Sequence, residues 1–406
     1  MQPTSTPSPY PDVRFKVLPE DFYVEELPEV QPDGEGDHLW VEVQKINLTT
    51  DDVVAALSRR LRVDPADIGV AGLKDRRAVT RQWMSLAGAQ EAEVMQLDLP
   101  GVQVLQTRRH GSKLRRGQLL GNRFRVRLRG LSNEECARLE RSFLDLTATG
   151  FPNHFGFQRF GIAGGNVAFG RALVTGDADG FLKAAAAPVD RESGPASEGR
   201  LALSSGDFAR ALDLLPRFLA VERHLASGML RRNPDLTATI RALPHRLRGI
   251  LISAWQSASF NAVLDARLDR GLRLEVGDVV QFRGGNTCFR VEEEFFPREQ
   301  ERVAEGELEI AGPLPGWKLF PAAGVPGELE AVVLAASGAS ALSTDLVPKK
   351  ALRGTRRPMT VPVADPTASH EESAMVLAFV LPAGSYATSL LLHLGVDVGP
   401  DRSPRP

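Results

Sequence analysis

Residues 38–44 alternate strictly, with Leu39, Val41 and Val43 in one phase and Trp40, Glu42 and Gln44 in the other. That period of two predicts a strand with one buried face, and a second strand is predicted over 14–18. Residues 49–52 (TTDD) then supply capping oxygens and first-turn acids to a helix. Its apolar stripe is Val53, Val54, Leu57 and Leu61, and Arg59, Arg60 and Arg62 close it. Pro65 and Gly69 mark the following turn. Residues 123–129 alternate again, with Arg123, Arg125, Arg127 and Arg129 in one phase and Phe124, Val126 and Leu128 in the other. On a strand the arginines share a face and the apolar residues pack beneath it. Residues 132–145 read as a helix, and 177–200, rich in Ala, Gly and Ser, as a loop near a domain boundary. Residues 253–268 form a helix stopped by Gly271, with Trp255 and Phe260 in its core face. Short strands follow at 279–282 and 288–291. A buried-type strand at 374–381 leads into a turn and a short helix, LPAGSYATSLLLHL. No internal repeat is present.

Composition narrows the function. The chain has 406 residues, 43% hydrophobic and 25% charged, which suits two globular domains. Net charge is −2, so a polyanion would be met by local patches and not by a global field. Cys136 and Cys288 are far apart and lack metal-ligand spacing, which excludes a disulfide framework and argues against zinc. A reducing, cytoplasmic setting is expected. The Pro- and Ser-rich N-terminal stretch has no apolar core and is not a secretion signal, both tails are expected to fray, and the longest apolar run is too short to span a bilayer.

Candidate chemistry lies in residues 71–83, AGLKDRRAVTRQW, where Asp75 stands between Lys74 and Arg76–Arg77. Nearby cations lower a carboxylate's pKa and would also attract phosphates. Residues 108–129 hold nine Lys and Arg and no acid, so the arginine row is read as a polyanion-binding face. A second basic cluster comprises Lys349, Lys350, Arg353, Arg356 and Arg357. Residues 151–161, FPNHFGFQRFG, combine aromatics, amides and Arg159. The histidines lack metal-site spacing, and neither a P-loop nor a GxSxG elbow occurs. Carboxylate chemistry beside stacking aromatics remains, which suits an enzyme acting on a base within RNA. A protein that only binds RNA, and a glycosidase needing a second carboxylate such as Glu25, are the competing classes.

The segment AGLKDRRAVTRQW closely resembles the signature of the TruD-type pseudouridine synthases, which modify tRNA. FPNHFGFQRFG, SAWQSASFNAVLDARL and LPAGSYAT follow in that family's order, and PEDFYVEELP, GEGDHLWVEVQK and KLRRGQLLGNRF also match. The blocks run from about residue 19 to about residue 394. The resemblance implies an α/β (α+β) pseudouridine-synthase catalytic domain with a mixed, largely antiparallel sheet. This domain would comprise 1–172 and 348–406, interrupted by the family's insertion domain at 173–347. It further implies isomerisation of uridine 13 in the tRNA D arm to pseudouridine, with no cofactor or metal, by an enzyme expected to be a monomer.

Carried over by residue, Asp75 takes the catalytic position, and Asn153, Phe155 and Tyr386 line the base pocket. Tyr386 stands where bacterial members often have Phe, which leaves its hydroxyl open to bond the base or Asp75. Lys74, Arg76, Arg123, Arg125, Arg127 and Arg159 are candidates to hold RNA. Lys74, Arg76 and Arg159 are also candidates to pair with Asp75. Whether Asp75 attacks C1′ of the sugar or removes a sugar proton stays open.

Overall fold

A computed structural model of the chain describes residues 8–161, 164–190, 192–285, 287–371 and 374–398. Most of the two Pro-rich tails lies outside these residues. By contacts the chain divides into two compact units, Gln2–Pro152 with Val361–Pro406, and Asn153–Thr360.

The first unit is built on a mixed, largely antiparallel sheet. Its strands run in the order Ala364–Glu371, Ala374–Pro382, Leu119–Arg129, Phe22–Pro28, Val79–Ala87, His38–Ile46 and Val102–His110. Phe22–Pro28 and Val79–Ala87 pair in parallel, and the other neighbours are antiparallel. Two short strands, Arg14–Phe15 and Ile68–Val70, add to Leu119–Arg129 and Val79–Ala87.

The strand at 38–46 follows its alternation: Leu39, Val41 and Val43 are fully buried. The strand at 79–87 does not alternate, because it lies mid-sheet and is buried on nearly every residue. Polar Thr80, Gln82 and Ser85 are buried along with its apolar residues, which is why no period of two marks it in the sequence.

On one face, Phe124, Val126 and Leu128 pack with Phe379 and with Leu139 and Phe143 of the helix Asn133–Thr149. The rings of Phe124 and Phe379 stack with centroids 5.4 Å apart. That helix starts at a capping box in which Ser132 accepts from the Glu135 N–H and Glu135 accepts from the Ser132 N–H. The helix Thr50–Leu61 starts the same way from Thr49 and Asp52, and buries Val53 and Leu57 against Leu39, Val41 and Met84.

The second unit gathers helices around His245–Leu268, beside a four-stranded sheet in the order Cys288–Arg290, Val279–Phe282, Leu308–Leu314, Thr355–Pro358. Trp255 is buried in that helix and its indole N–H donates to the Ser337 carbonyl at 2.8 Å. The helix Gly165–Thr175 crosses it closely at Gly170, where a Cβ would come within 2.2 Å of the Leu251 carbonyl oxygen. This packing, and the pairing of Thr355–Pro358 with Leu308–Leu314, place the contact boundaries outside 172/173 and 347/348.

The loop expected at 177–200 is instead largely helical, with Ala178–Ala186 and Pro195–Ser204. Alanine is the best helix former, Asp177 caps the first helix through the Gly180 N–H, and Pro195 opens the second. Small residues there serve close packing: a Cβ on Gly199 would meet Leu215 at 2.8 Å.

Phe379 is 1% exposed at the centre of the first core. Phe379→Ala is expected to cost about 3–5 kcal/mol, read as a lowered urea midpoint; a loss below about 1 kcal/mol contradicts this account of the core.

Candidate functional site

Asp75 lies in the irregular segment between Ile68–Val70 and Val79–Ala87. Its side chain is 56% exposed, and Lys16 Nζ lies 2.8 Å from its Oδ2. Lys16 is itself held. Its ammonium sits 4.0 Å from the Phe22 ring centroid, and its backbone is left-handed at φ 54°. Non-glycine residues adopt that conformation rarely, so the surrounding contacts must impose it. Two residues on, the chain is tied at Leu18, whose N–H donates to the fully buried Asp21, and Asp21 takes a fork of hydrogen bonds from Arg129. Burial alone would raise the Asp21 carboxyl; the Arg129 fork and the Leu18 N–H outweigh it and leave the pKa lowered.

The main chain of the loop is fixed from below. Lys45 is fully buried, and its Nζ donates to the Asp75 carbonyl at 2.8 Å and to the Leu48 carbonyl at 2.5 Å. Burial pushes its ammonium from the usual 10.5 down to about 8, against the opposing pull of Asp75. Thr50 accepts from the Lys74 N–H and donates to Gln82. The side chains beside Asp75 turn elsewhere: Lys74 Nζ meets Glu26 at 2.6 Å, Arg76 meets Asp52 at 3.0 Å, and Arg77 reaches the Val17 carbonyl.

This corrects the expected electrostatics. The cation on the Asp75 carboxylate is Lys16, brought from residues far off in sequence, and neither Lys74 nor Arg76 supplies it. Lys74 is only 8% exposed, so its ammonium serves Glu26, whose carboxyl burial pushes up while Lys74 pulls it down. A Cβ on Gly72 would stand 3.1 Å from Lys74 Nζ, so that glycine leaves room for the pair.

The arginine row needs the same correction. Arg123 pairs with Glu25, Arg125 and Arg127 share Glu371, and Arg129 holds Asp21. The sequence segment lacks acids, but Glu25 on Phe22–Pro28, Asp21 just before that strand and Glu371 on Ala364–Glu371 supply three carboxylates for its four arginines. Glu25, the alternative second carboxylate, is thereby committed to Arg123 at 3.3 Å.

In the other unit, Asn153, Phe155 and Arg159 do come together. Asn153 is 6% exposed; its N–H donates to the Met359 carbonyl, its side-chain amide donates to the Pro358 carbonyl, and its Oδ1 accepts from Arg357. The Phe155 N–H donates to Asn261 Oδ1 and the Asn261 side-chain amide donates to the Phe155 carbonyl, while the Phe155 ring meets Phe260 edge-on at 5.6 Å. The Arg357 guanidinium lies 4.2 Å from the Phe155 ring centroid. Arg159 reaches Ser253 and Ser257, with its guanidinium 5.6 Å from the same ring. The second basic cluster therefore turns partly inward, since Arg356 is also buried against Glu330.

Tyr386 belongs to the first unit. It is 47% exposed and stands at the N-terminus of the helix Ala387–His393, where its carbonyl accepts from the Ser389 N–H. Its ring is the more open of the two candidate aromatics; Phe155 is 8% exposed. His154 pairs with Asp265 at 2.8 Å.

Sequence reasoning missed Lys16, Lys45, Glu26, Asn261 and the contact role of Arg357. For Lys45 a signal existed: it continues the buried phase of Leu39, Val41 and Val43. Among the described residues no helix is long and apolar enough to cross a membrane, and no group of three or more His, Cys, Asp and Glu is placed to hold a metal ion.

The α/β fold on a mixed, mostly antiparallel sheet is shared with a class of tRNA-modifying enzymes. The family model described as tRNA pseudouridine synthase D (TruD) matches residues 4–394, and the chain belongs to that family. A relative from Geobacter metallireducens named tRNA pseudouridine synthase D is 37% identical over 95% of this chain and 96% of its own length. One from Thermococcus gammatolerans, named probable tRNA pseudouridine synthase D, is 33% identical over 95% of each. The crystal structure of the putative tRNA pseudouridine synthase D from Methanosarcina mazei superposes with a TM-score of 0.83 at 30% identity, covering 96% of this chain and 95% of that one.

Two consequences are measurable. Lys74→Met strands a buried carboxylate and is expected to cost about 3–5 kcal/mol, seen in thermal unfolding; an RNA-contacting lysine would instead leave the midpoint unchanged and weaken tRNA binding. Lys45 titrates at about 8 folded and 10.5 unfolded, so between those values the unfolded chain binds more protons and stability rises with pH. Below that window its burial costs roughly 3 kcal/mol. The stability difference between wild type and Lys45→Met should grow in favour of wild type from pH 7.5 to 10.5, as chemical denaturation would show; a flat difference contradicts the buried ammonium.

Proposed function

We propose that this chain isomerises a uridine of tRNA, position 13 in the D arm, to pseudouridine, with Asp75 as the reacting group and without a cofactor. The observation that carries this reading is an exposed carboxylate, held by Lys16 at 2.8 Å, on a loop whose main chain is tied down from a buried lysine. Membership of the family along nearly the whole chain supports the reaction class.

The reaction needs the target nucleotide out of the stack, at a cost of a few kcal/mol. Stacking on the open Tyr386 ring and phosphate contacts offset that cost. Asp75 then attacks C1′ or removes a sugar proton, and by either route the C1′–N1 bond breaks. The freed uracil turns and C5 bonds to C1′, displacing the Asp75 carboxylate on the first route or with Asp75 returning the sugar proton on the second; the C5 proton then leaves and N1 gains one. Atoms and charge balance, with no electron or phosphate transferred, so the chemistry calls for no further reactant.

Lys16 orients the carboxylate toward the sugar. Asn153 supplies polar contacts to the uracil edge, and Phe155, backed by Phe260 and Arg357, forms a rigid wall. Arg76 and Arg159 face the RNA backbone, while Lys74 and the carboxylate-paired Arg123, Arg125 and Arg127 are assigned to the fold. The catalytic domain is discontinuous and the segment inserted into it shapes the RNA specificity.

Asp75→Asn and Asp75→Ala should abolish pseudouridine formation while tRNA still binds. Carbodiimide mapping of tRNA from cells lacking the gene should lose the signal at position 13, and the product should keep the mass of uridine. Substantial turnover by either variant rules out Asp75 as the reacting group, and release of free uracil rules out the isomerisation.

A further inference from the structure

Lys45 is a buried cation whose hydrogen bonds go to main-chain carbonyls. A cation without a carboxylate on its ammonium is an expensive thing to bury. Its position is specific: at the end of the buried phase of His38–Ile46, it joins the Leu48 carbonyl to the carbonyl of Asp75. The segment after it is also built for this bridge. Asn47 takes a left-handed backbone at φ 56° and donates its N–H to the Ala78 carbonyl, and Ile46 donates to the Gly101 carbonyl. The two ends of the reactive loop, Asp75 and Ala78, are thus both tied to residues 45–48.

We propose that Lys45 is a positioning residue for the reaction: its ammonium fixes the peptide carbonyl of Asp75 and, through it, the place from which the carboxylate reaches the sugar. The inference rests on the reading that Asp75 reacts. The charged groups around Lys45 are Asp75, Lys74 and Arg76 on the loop and Asp52 on the helix Thr50–Leu61. Two are acidic and two basic, so burial decides the balance and brings the proton into play near pH 8. Charge-assisted hydrogen bonds are about twice as strong as neutral ones, so the loop loosens when that proton leaves. A displacement of about 1 Å at a reacting group can cost on the order of 100-fold in rate.

Stability and turnover therefore move in opposite directions with pH. As pH rises through about 8 the cost of burying Lys45 is relieved, while the grip on Asp75 weakens. A lysine with only a structural role would not split the two.

The test uses the full chain, tRNA carrying tritium at C5 of uridine, and tritium release measured from pH 6.5 to 9.5. Wild-type kcat should fall about tenfold on an alkaline limb near pH 8. Lys45→Met should lower kcat at pH 7 by about 10- to 100-fold with a flat profile, and leave KM for tRNA within about twofold. Lys45→Arg keeps the charge and should restore most of kcat at pH 7 while removing the alkaline limb. A folded Lys45→Met variant with kcat within twofold of wild type, or with the limb intact, overturns the proposal. If Lys45→Met does not fold, Lys45→Arg decides: a limb unchanged from wild type overturns it equally. Asp75→Asn runs alongside as a separate arm. Turnover there removes the reading beneath, whereas a dead Asp75→Asn with wild-type behaviour at Lys45 removes only this inference.

Discussion

An exposed carboxylate is free to move, and the chemistry proposed for Asp75 requires that it does not. Holding residues 71–78 in one irregular path costs about 1–2 kcal/mol of backbone entropy per residue. No helix or strand offsets that cost there. The compensation comes from behind the loop: Lys45 on the Asp75 carbonyl, Thr50 on the Lys74 N–H, and Lys74 itself anchored on Glu26. The front is set by Lys16 on the Asp75 carboxylate, with its ammonium over the Phe22 ring. Removing any of these leaves the others with a longer unsupported arc of chain.

Apart from Thr50, each of these anchors is a charge taken at least partly out of water, and apolar substitutes of the same shape would often make a more stable protein. What apolar side chains cannot do is fix one carbonyl or one N–H in place, because dispersion is non-directional. Lys45 and Glu26 each occupy the buried phase of a strand that is otherwise apolar there, Leu39, Val41 and Val43 for one and Phe22 and Val24 for the other. The sheet thus supplies a rigid floor, and two charges on that floor hold the loop above it.

Much of the architecture was legible because it rests on local periodicity. The strand at 38–46, the capped helix after it and the helix at 133–149 announce themselves by alternation, by TTDD and by SxxE. The role proposed for Asp75 rests on the family resemblance of its motif and not on any local periodicity. What could not be read was partnership across sequence distance. The arginines of Leu119–Arg129 look unpaired until Phe22–Pro28 and Ala364–Glu371 bring Glu25 and Glu371 alongside. Lys16 precedes Asp75 by 59 residues, and no local pattern couples them. The Ala-rich stretch at 178–186 was misread because small residues signal both loops and tight helix packing, and only the neighbouring helices decide between them.

The neutralised arginine row changes where a phosphate backbone would be met. Four guanidiniums that share three carboxylates leave little net field, and exchanging a carboxylate for a phosphate gains little in free energy. Arg59, Arg60, Arg115 and Arg116 are exposed, and none has a carboxylate partner among the described residues. An arginine already solvated releases a counterion when it meets a phosphate, whereas a paired one must first give up its acid. On a chain of net charge −2, the salt-dependent part of RNA capture then falls to such unpaired positions. The arginine row keeps the role its pairs define, which is to bind the central strand to its neighbours.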